Sequence, residues 1–366
     1  MRPLVLVAPL NWGIGHASRV IPVIKTLVGE GFEVLAGISG MSGELLKTSM
    51  PDLKLVKMPS AAIRYGKKNA AISILYRLPL FFLSIISEHY MLRKIIRRYG
   101  VDIVISDNRY GLWNCKVYSV FITHQVFIQV PRMIGFLKPF IHKCTEMMIK
   151  RFDECWIPDY REPFLNFSGE LSHGGSLPGN CLYIGLLSRF SNHNTSTITR
   201  PVTARLLVIL SGPEPQRTIF ETKIKDEIIR LKIRAIILRG LPSKKNVVEE
   251  NGKIVLYNHV PDKEFQILVK QAGVIVCRPG YSTIMDLLVL GRSAILVPTP
   301  GQTEQEYLAG YLSAKGGFTV QAQNSLDLAD AIAASKNENL NLFKLQETGH
   351  QLLTNAVKEL RHKLRR

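Results

Sequence analysis

VIVCRPGYSTIMDLLVLGRSAILVPTPGQTEQEYLAGYL, residues 274–312, carries the pattern from which the rest of the chain is read. Val274 to Cys277 is a short apolar, β-branched run closed by Pro279 and Gly280, which reads as a buried strand running into a turn. From Tyr281 the residues Ile284, Leu287, Leu288 and Gly291 recur at helical spacing, so Ser282 and Thr283 fall in a first turn whose backbone N–H groups have no internal acceptor. A helix start of this kind suits an anion such as a nucleotide diphosphate. Asp286, one turn further in, is placed to accept hydrogen bonds from a ribose. Ala294 to Pro298 reads as a second strand, followed by the polar loop Gly301–Glu306 and another helix, so two loops leave the same sheet edge.

The remaining chain repeats this alternation of strand and helix. Leu4 to Ala8 is a first buried strand, and LNWGIGHASR supplies a Gly-x-Gly turn into a helix from about Ser18 to Glu30. Ser18 stands where a dinucleotide fingerprint has its third glycine, and no acidic residue closes a second strand at the required spacing, which argues against a dinucleotide. Gly13 and Gly15 allow close backbone approach, and the loop brings His16 to the carboxyl end of the strand. On the residues alone His16 either caps or packs the helix, or does chemistry. Phe32 to Ile38 and Leu53 to Met58 read as strands; Val101 to Ser106 ends in Asp107, Asn108 and Arg109, and Val117 to Thr123 in His124 and Gln125. Polar residues directly after parallel strands line the ligand crevice of open α/β sheets, which makes Asp107 and His124 candidates. A basic helical region spans Arg132 to Arg151, SRFSNHNTSTITRP has the composition of a linker, and ARLLVIL from Ala204 begins a second alternation ending in the turn Ser211-Gly212-Pro213.

A length of 366 residues suits two domains, and 46% apolar with 21% charged residues is ordinary for a globular chain. Five cysteines without C-x-x-C spacing argue against a disulfide framework and fit a reducing compartment. The net charge of +18 predicts an anionic partner. Ala70 to Arg98 is apolar at first and basic at its end, too interrupted by Arg77 and Pro79 to span a bilayer. Its apolar face either packs on a sheet or docks on anionic lipid beside Arg93, Lys94, Arg97 and Arg98, and its residues leave both open. The chain has no G-x-x-x-x-G-K-[ST], H-E-x-x-H, G-x-S-x-G or Asp-x-Asp pair, nor the aromatic and basic interleaving of nucleic-acid readers.

Strand, R-x-G, x-x-T, an acidic residue, strand, Pro, and a loop with Gln before an aromatic: this order resembles the donor half of two-domain glycosyltransferases, above all the family 28 type that moves N-acetylglucosamine from UDP to a membrane lipid. The resemblance implies an α/β GT-B fold, two Rossmann-like doubly wound parallel-sheet domains facing a central cleft. It implies an acceptor-side domain over 1–187, a linker over 188–203, a donor domain over 204–338 and a terminal helix over 339–366 crossing back to the first. GIGH with Arg19 resembles the family's G-x-G-H loop, whose histidine lies beside the reacting sugar as general base or orienting group, so His16 is the catalytic candidate; Asp107 and His124 are further catalytic candidates, and Asn11, Gly13, Gly15 and Arg19 go to the acceptor loop. On the donor side the resemblance implies Ser211 and Gly212 at the phosphates, the backbone at Val260 at the uracil, Asp286 at the ribose and Gln305 at the sugar, with Arg278, Gly280, Ser282, Thr283, Gln302 and Glu306 as further donor-binding residues. Pro279 and Glu306 depart from the family, which has Ser and a second Gln there.

The expected activity is an inverting transfer from a UDP-sugar, N-acetylglucosamine or another hexose, to a lipid-linked or cell-envelope glycan. No metal or other cofactor is expected, nor a nucleic-acid partner, and the location is the cytoplasm or the inner membrane face. A nucleotide-sugar 2-epimerase, or a basic membrane- or nucleic-acid-binding protein with a decayed pocket, are the competing readings.

Overall fold

The computed structural model describes residues 2–11, 13–59, 78–190, 205–241, 249–335 and 343–364. The chain divides into two compact units: Met1–Trp12, His16–Arg189 and Lys344–Arg366 form the first, and Gly13–Gly15 with Phe190–Phe343 the second. Residues 70–77 of the amphipathic stretch and 191–203 of the expected linker lie outside the described residues.

In chain order the first unit runs β1 (Leu4–Pro9), α1 (Ile14–Gly29), β2 (Glu33–Ile38), α2 (Gly40–Ser49), β3 (Lys54–Lys57), α3 (Leu78–Tyr99), β4 (Ile103–Asp107) and β5 (Tyr118–Ile122). A 3-10 turn (Arg132–Leu137), α4 (Lys138–Ile149), β6 (Glu154–Ile157), α5 (Glu170–His173) and β7 (Cys181–Tyr183) follow. The sheet order is β3-β2-β1-β4-β5-β6-β7, every pair parallel. Its strands are apolar on both faces, as a sheet covered by helices on both sides requires: Val5, Leu6, Val7, Ile103, Val104 and Ile105 are fully buried. The order reverses between β1 and β4, the switch point where open parallel sheets hold ligands. The first helix opens at Ile14 rather than near Ser18, so His16 and Arg19 both sit within its first two turns. Pro79 lies within α3 as described from Leu78 onward.

The second unit runs β8 (Leu206–Ile209), α6 (Gln216–Leu231), β9 (Ala235–Leu238), β10 (Glu249–Asn251), β11 (Ile254–Tyr257), α7 (Asp262–Gln271), β12 (Val274–Cys277) and α8 (Tyr281–Val289). It continues with β13 (Ala294–Leu296), α9 (Thr303–Lys315), β14 (Phe318–Val320) and α10 (Leu328–Ala334). The sheet order is β10-β11-β9-β8-β12-β13-β14, with its switch point between β8 and β12. One pair departs from the all-parallel expectation: β10 lies antiparallel to β11 at the edge. Glu249-Glu250-Asn251 is a polar, charged triplet with no strand signal, and such residues are usual on an exposed edge.

The last helix, α11 (Phe343–Lys363), belongs to the first unit. Gly349 lies so close to Gly185, whose φ is +73°, and to the Tyr160 hydroxyl that a Cβ at either glycine would collide. Further along, Lys363 pairs with Glu154, and the Arg361 guanidinium lies 5.1 Å from the Phe32 ring centroid.

Candidate active site

At the β1/β4 switch point of the first unit, register pairs Pro9 with Asp107, and Leu10 N–H donates to the Asp107 carbonyl at 3.0 Å. The side chain of Asp107 is fully buried among three of the residues singled out above. Arg19 donates to it through Nε at 2.7 Å and again through a terminal nitrogen, and His16 Nδ1 lies 2.9 Å from its other oxygen. Burial acts to raise the Asp107 carboxyl, but the Arg19 charge and then His16 outweigh it and hold it below the ordinary carboxylate value. His16 Nδ1 also lies 3.0 Å from an Arg19 terminal nitrogen, which only donates; Arg19 already has Asp107 and His124 as acceptors, so the contact to the carboxylate is met by hydrogen on Nδ1, and the lone pair of the neutral ring is then on Nε2. The His16 side chain is 15% exposed, Asp107 not at all. His124 Nδ1 lies 2.9 Å from Arg19, and since a guanidinium only donates, His124 accepts there.

Arg19, expected on the acceptor loop, is therefore corrected: at 1% exposure its guanidinium is the buried clamp that joins Asp107, His16 and His124. Asn11 packs against Gly40, where φ is +52° and a Cβ would clash with the Asn11 amide. Gly13 has φ +89°, open only to glycine at low cost.

In the second unit, the turns after β8 and β12 leave adjacent strands, with Ile209 in register with Cys277. The first brings Gly212, exposed, at φ +95° and with open space where a Cβ would be, beside Ser211. The second brings Gly280, the residue before α8, where among the described residues a Cβ would meet Thr283 Oγ1 at 3.9 Å. No side chain caps α8, and its first-turn N–H groups, Ser282 and Thr283 among them, are without intrahelical acceptors. Asp286 is buried one turn on. Val260 is buried after β11, separated from β8 by β9.

Four donor-side expectations change. Arg278 does not face a ligand: it is fully buried, donates to the Val297 and Pro298 carbonyls at 2.9 and 3.0 Å, and lies over the Phe220 ring at 4.1 Å. The Ser282 hydroxyl is not free, because it donates to the Gly15 carbonyl, within the same unit, at 2.9 Å. Gln305 and Glu306 stand in the first turn of α9, not in a loop, because acidic Glu304 and Glu306 favour a helix start. Their oxygens brace the preceding turn: Thr299 N–H donates to Gln305 at 2.9 Å, and Gly301 N–H to Glu306 at 2.8 Å. Gln302 is the residue before that helix.

Residues 239–364 match the family described as the glycosyltransferase family 28 C-terminal domain. An uncharacterized glycosyltransferase of Methanosarcina acetivorans is 26% identical over 326 residues, 83% of this chain and 82% of the relative. The UDP-N-acetylglucosamine--N-acetylmuramyl-(pentapeptide) pyrophosphoryl-undecaprenol N-acetylglucosamine transferase of Buchnera aphidicola is 22% identical over 351 residues, 90% of this chain and 88% of that protein. Among solved structures, the MurG of Acinetobacter baumannii shares the fold over 99% of this chain and 100% of its own, with a TM-score of 0.55 at 14% identity. The kitacinnamycin glycotransferase covers 100% of both chains with a TM-score of 0.68 at 13% identity. The chain is a glycosyltransferase, and its residues 239–364 are similar to the family 28 C-terminal domain.

The fold class of this glycosyltransferase is GT-B. Around its first switch point lies a second buried ion pair that sequence reading missed. Glu88 of α3 faces Arg109 at 3.1 Å and accepts from Gly111 N–H at 3.2 Å, while Arg109 donates to the carbonyls of Pro9 and Pro59. Arg109 thus ties together the loops after β1, β3 and β4 from which Asp107 and the His16 loop emerge. The signal was present: Glu88 is the one acidic residue in the whole of α3. Burial raises the Glu88 carboxyl despite Arg109 beside it. No helix among the described residues is long and apolar enough to cross a membrane.

Proposed function

We propose that this glycosyltransferase moves a sugar, N-acetylglucosamine or another hexose, from a UDP-sugar to a lipid-linked or other cell-envelope acceptor in one inverting displacement that uses no metal. The observation that carries the reading is the His16–Asp107 pair: a histidine anchored through Nδ1 on a buried carboxylate, at a switch point, leaves Nε2 to take a proton. In this reading the acceptor hydroxyl loses its proton to His16 as its oxygen attacks the anomeric carbon. The bond to the diphosphate breaks on the opposite side, which inverts the configuration. The leaving charge is met by the first-turn N–H groups of α8 and by the turn at Ser211 and Gly212. Asp286 binds the ribose. The family match over 239–364 supports a nucleotide-sugar donor, and the named activity of the Buchnera relative supports the lipid-linked acceptor.

Incubation with UDP-sugars and extracted polyprenyl-linked acceptors, following UDP release and labelled lipid, tests the reading. Formation of a second sugar nucleotide without acceptor would favour the epimerase instead. The Asp286→Ala enzyme is expected to bind UDP about tenfold more weakly, the loss of one hydrogen-bonded charged acceptor.

Contact with an anionic membrane belongs to the same reading. Right-handed crossovers carry α3 and α4 over one face of the first sheet, and the Trp113 ring lies 4.8 Å from His89 of α3 and 5.1 Å from the Arg151 guanidinium just past α4. That face exposes Leu83 and Ile86 of α3 and Met133, Phe136 and Phe140 near α4, with Met133 81% and Phe136 78% exposed. Arg93, Lys94, Arg97 and Arg98 are exposed beside them. The enzyme is expected to sediment with phosphatidylglycerol vesicles and not with phosphatidylcholine ones. A Phe136→Ser, Phe140→Ser double variant should stay in the supernatant, and its full retention on vesicles would remove this surface from the proposal.

A further inference from the structure

Arg278 holds its charge in unusual company. Its guanidinium donates to Val297 O at 2.9 Å, Pro298 O at 3.0 Å, Gln216 O at 3.2 Å and the side-chain oxygen of Gln323. All four acceptors are neutral. Among the described residues its one ionisable neighbour is the Cys277 thiol, which burial pushes up to about 12 and so keeps uncharged, so no counter-charge stands beside it there. Burial pushes Arg278 itself down to about 10, which leaves it cationic at neutral pH. Arg19, Arg109 and Arg217 are similarly buried, yet each is paired with a carboxylate: Asp107, Glu88, and Glu214 with Glu221. A second cation, Lys223 Nζ, donates to the Gln323 carbonyl at 3.2 Å. A buried cation without a counter-charge is costly, so its retention calls for an anion that arrives from outside the chain.

The place where that anion would lie is set by the chain. Gly280, which opens α8, is two residues on, at most ~7 Å of backbone away. Gln216, whose carbonyl Arg278 holds, begins α6 directly after the Ser211–Pro215 turn. Arg278 therefore stands in the turn after β12 and, through the Gln216 carbonyl, holds the start of α6 that follows the turn after β8. A buried charge is screened less than an exposed one.

We infer that Arg278 is a positioning residue for the donor's diphosphate: it acts through its uncompensated charge and through the turn it stands in and the α6 start it holds, without touching the ligand, and Gln323 preserves that charge by being an amide and not a carboxylate. The inference rests on the nucleotide-diphosphate reading of the α8 start and adds to it a residue and the basis of its selectivity for charged over uncharged nucleosides.

Titration of the full-length enzyme with UDP and, separately, with uridine tests it. Gln323→Glu keeps the shape of the side chain and supplies the missing carboxylate; it is expected to weaken UDP about tenfold or more and to leave uridine within about twofold. Arg278→Met should show the same selective loss, and Arg278→Lys should keep most of the preference for UDP. If UDP and uridine weaken together in Gln323→Glu, Arg278 only shapes the turns and the inference falls. An unchanged UDP affinity in that variant overturns it equally. A wild-type enzyme that binds neither ligand would instead sink the donor reading itself, a result separable from the other two.

Discussion

Replacing His16 with Ala is expected to lower kcat by ~10² or more while the Kd for UDP stays within about twofold of the wild-type value. The imidazole is the one side chain of the first switch point that is both partly exposed and held in a defined tautomer, through Nδ1 on Asp107 at 2.9 Å. The diphosphate site proposed at the start of α8 belongs to the second unit, so removal of the ring should spare donor binding. Full turnover in His16→Ala would remove the base from the mechanism, and an equal fall in UDP affinity would show that the loop is structural.

Asp107→Asn is expected to act on both stability and rate. An amide keeps the volume but leaves Arg19, 1% exposed, without its counter-charge, and the loss of one partner of a buried pair costs about 3–5 kcal/mol. The amide can also donate to His16, which frees the ring to take the other tautomer and lowers kcat. Urea unfolding at neutral pH measures the first effect and steady-state rates the second. The acid limb gives a separate check. The carboxyl is held below its ordinary value of 3.8 in the folded chain. Its contribution is therefore complete above that value and is lost as pH falls from 3.8 through the depressed folded value. The wild type should lose stability across that window more steeply than Asp107→Asn, and equal slopes would mean that the pair contributes nothing there.

How far the sequence carried this picture can be judged from individual residues. The α8 start was legible because a β-branched run, a glycine turn and a 3.6-residue spacing all agree locally, from Val274 to Leu288. His16 and Asp107 were legible for the same reason, each standing directly after an apolar strand. What joins them was not: Arg19 and Asp107 are 88 positions apart, and no local pattern distinguishes an arginine that will be clamped inside from one that meets a substrate. Arg278 misled in the same way, since the family pattern marks its position while its neutral partners, Gln216 and Gln323, come from distant segments. The edge strand β10 was hidden because two glutamates and an asparagine carry no strand propensity, and pairing with β11 alone makes them extended. Gln305 and Glu306 were misplaced through an over-reading of Gly301, although the acidic residues at 304 and 306 announced a helix.

The helix α11 is translated after the whole of the second unit, yet its glycine seats against Gly185 and Tyr160 of the first. A nascent chain extended only to residue 343 thus holds an unfinished first unit, with the surface around Phe32, Tyr160 and Glu154 uncovered until the residues of α11 follow. Maturation of the two halves is then inverted relative to their order in the gene: the later-made half can close first, and the earlier-made one must wait for its final 20 or so residues, a delay during which exposed apolar surface invites chaperone binding.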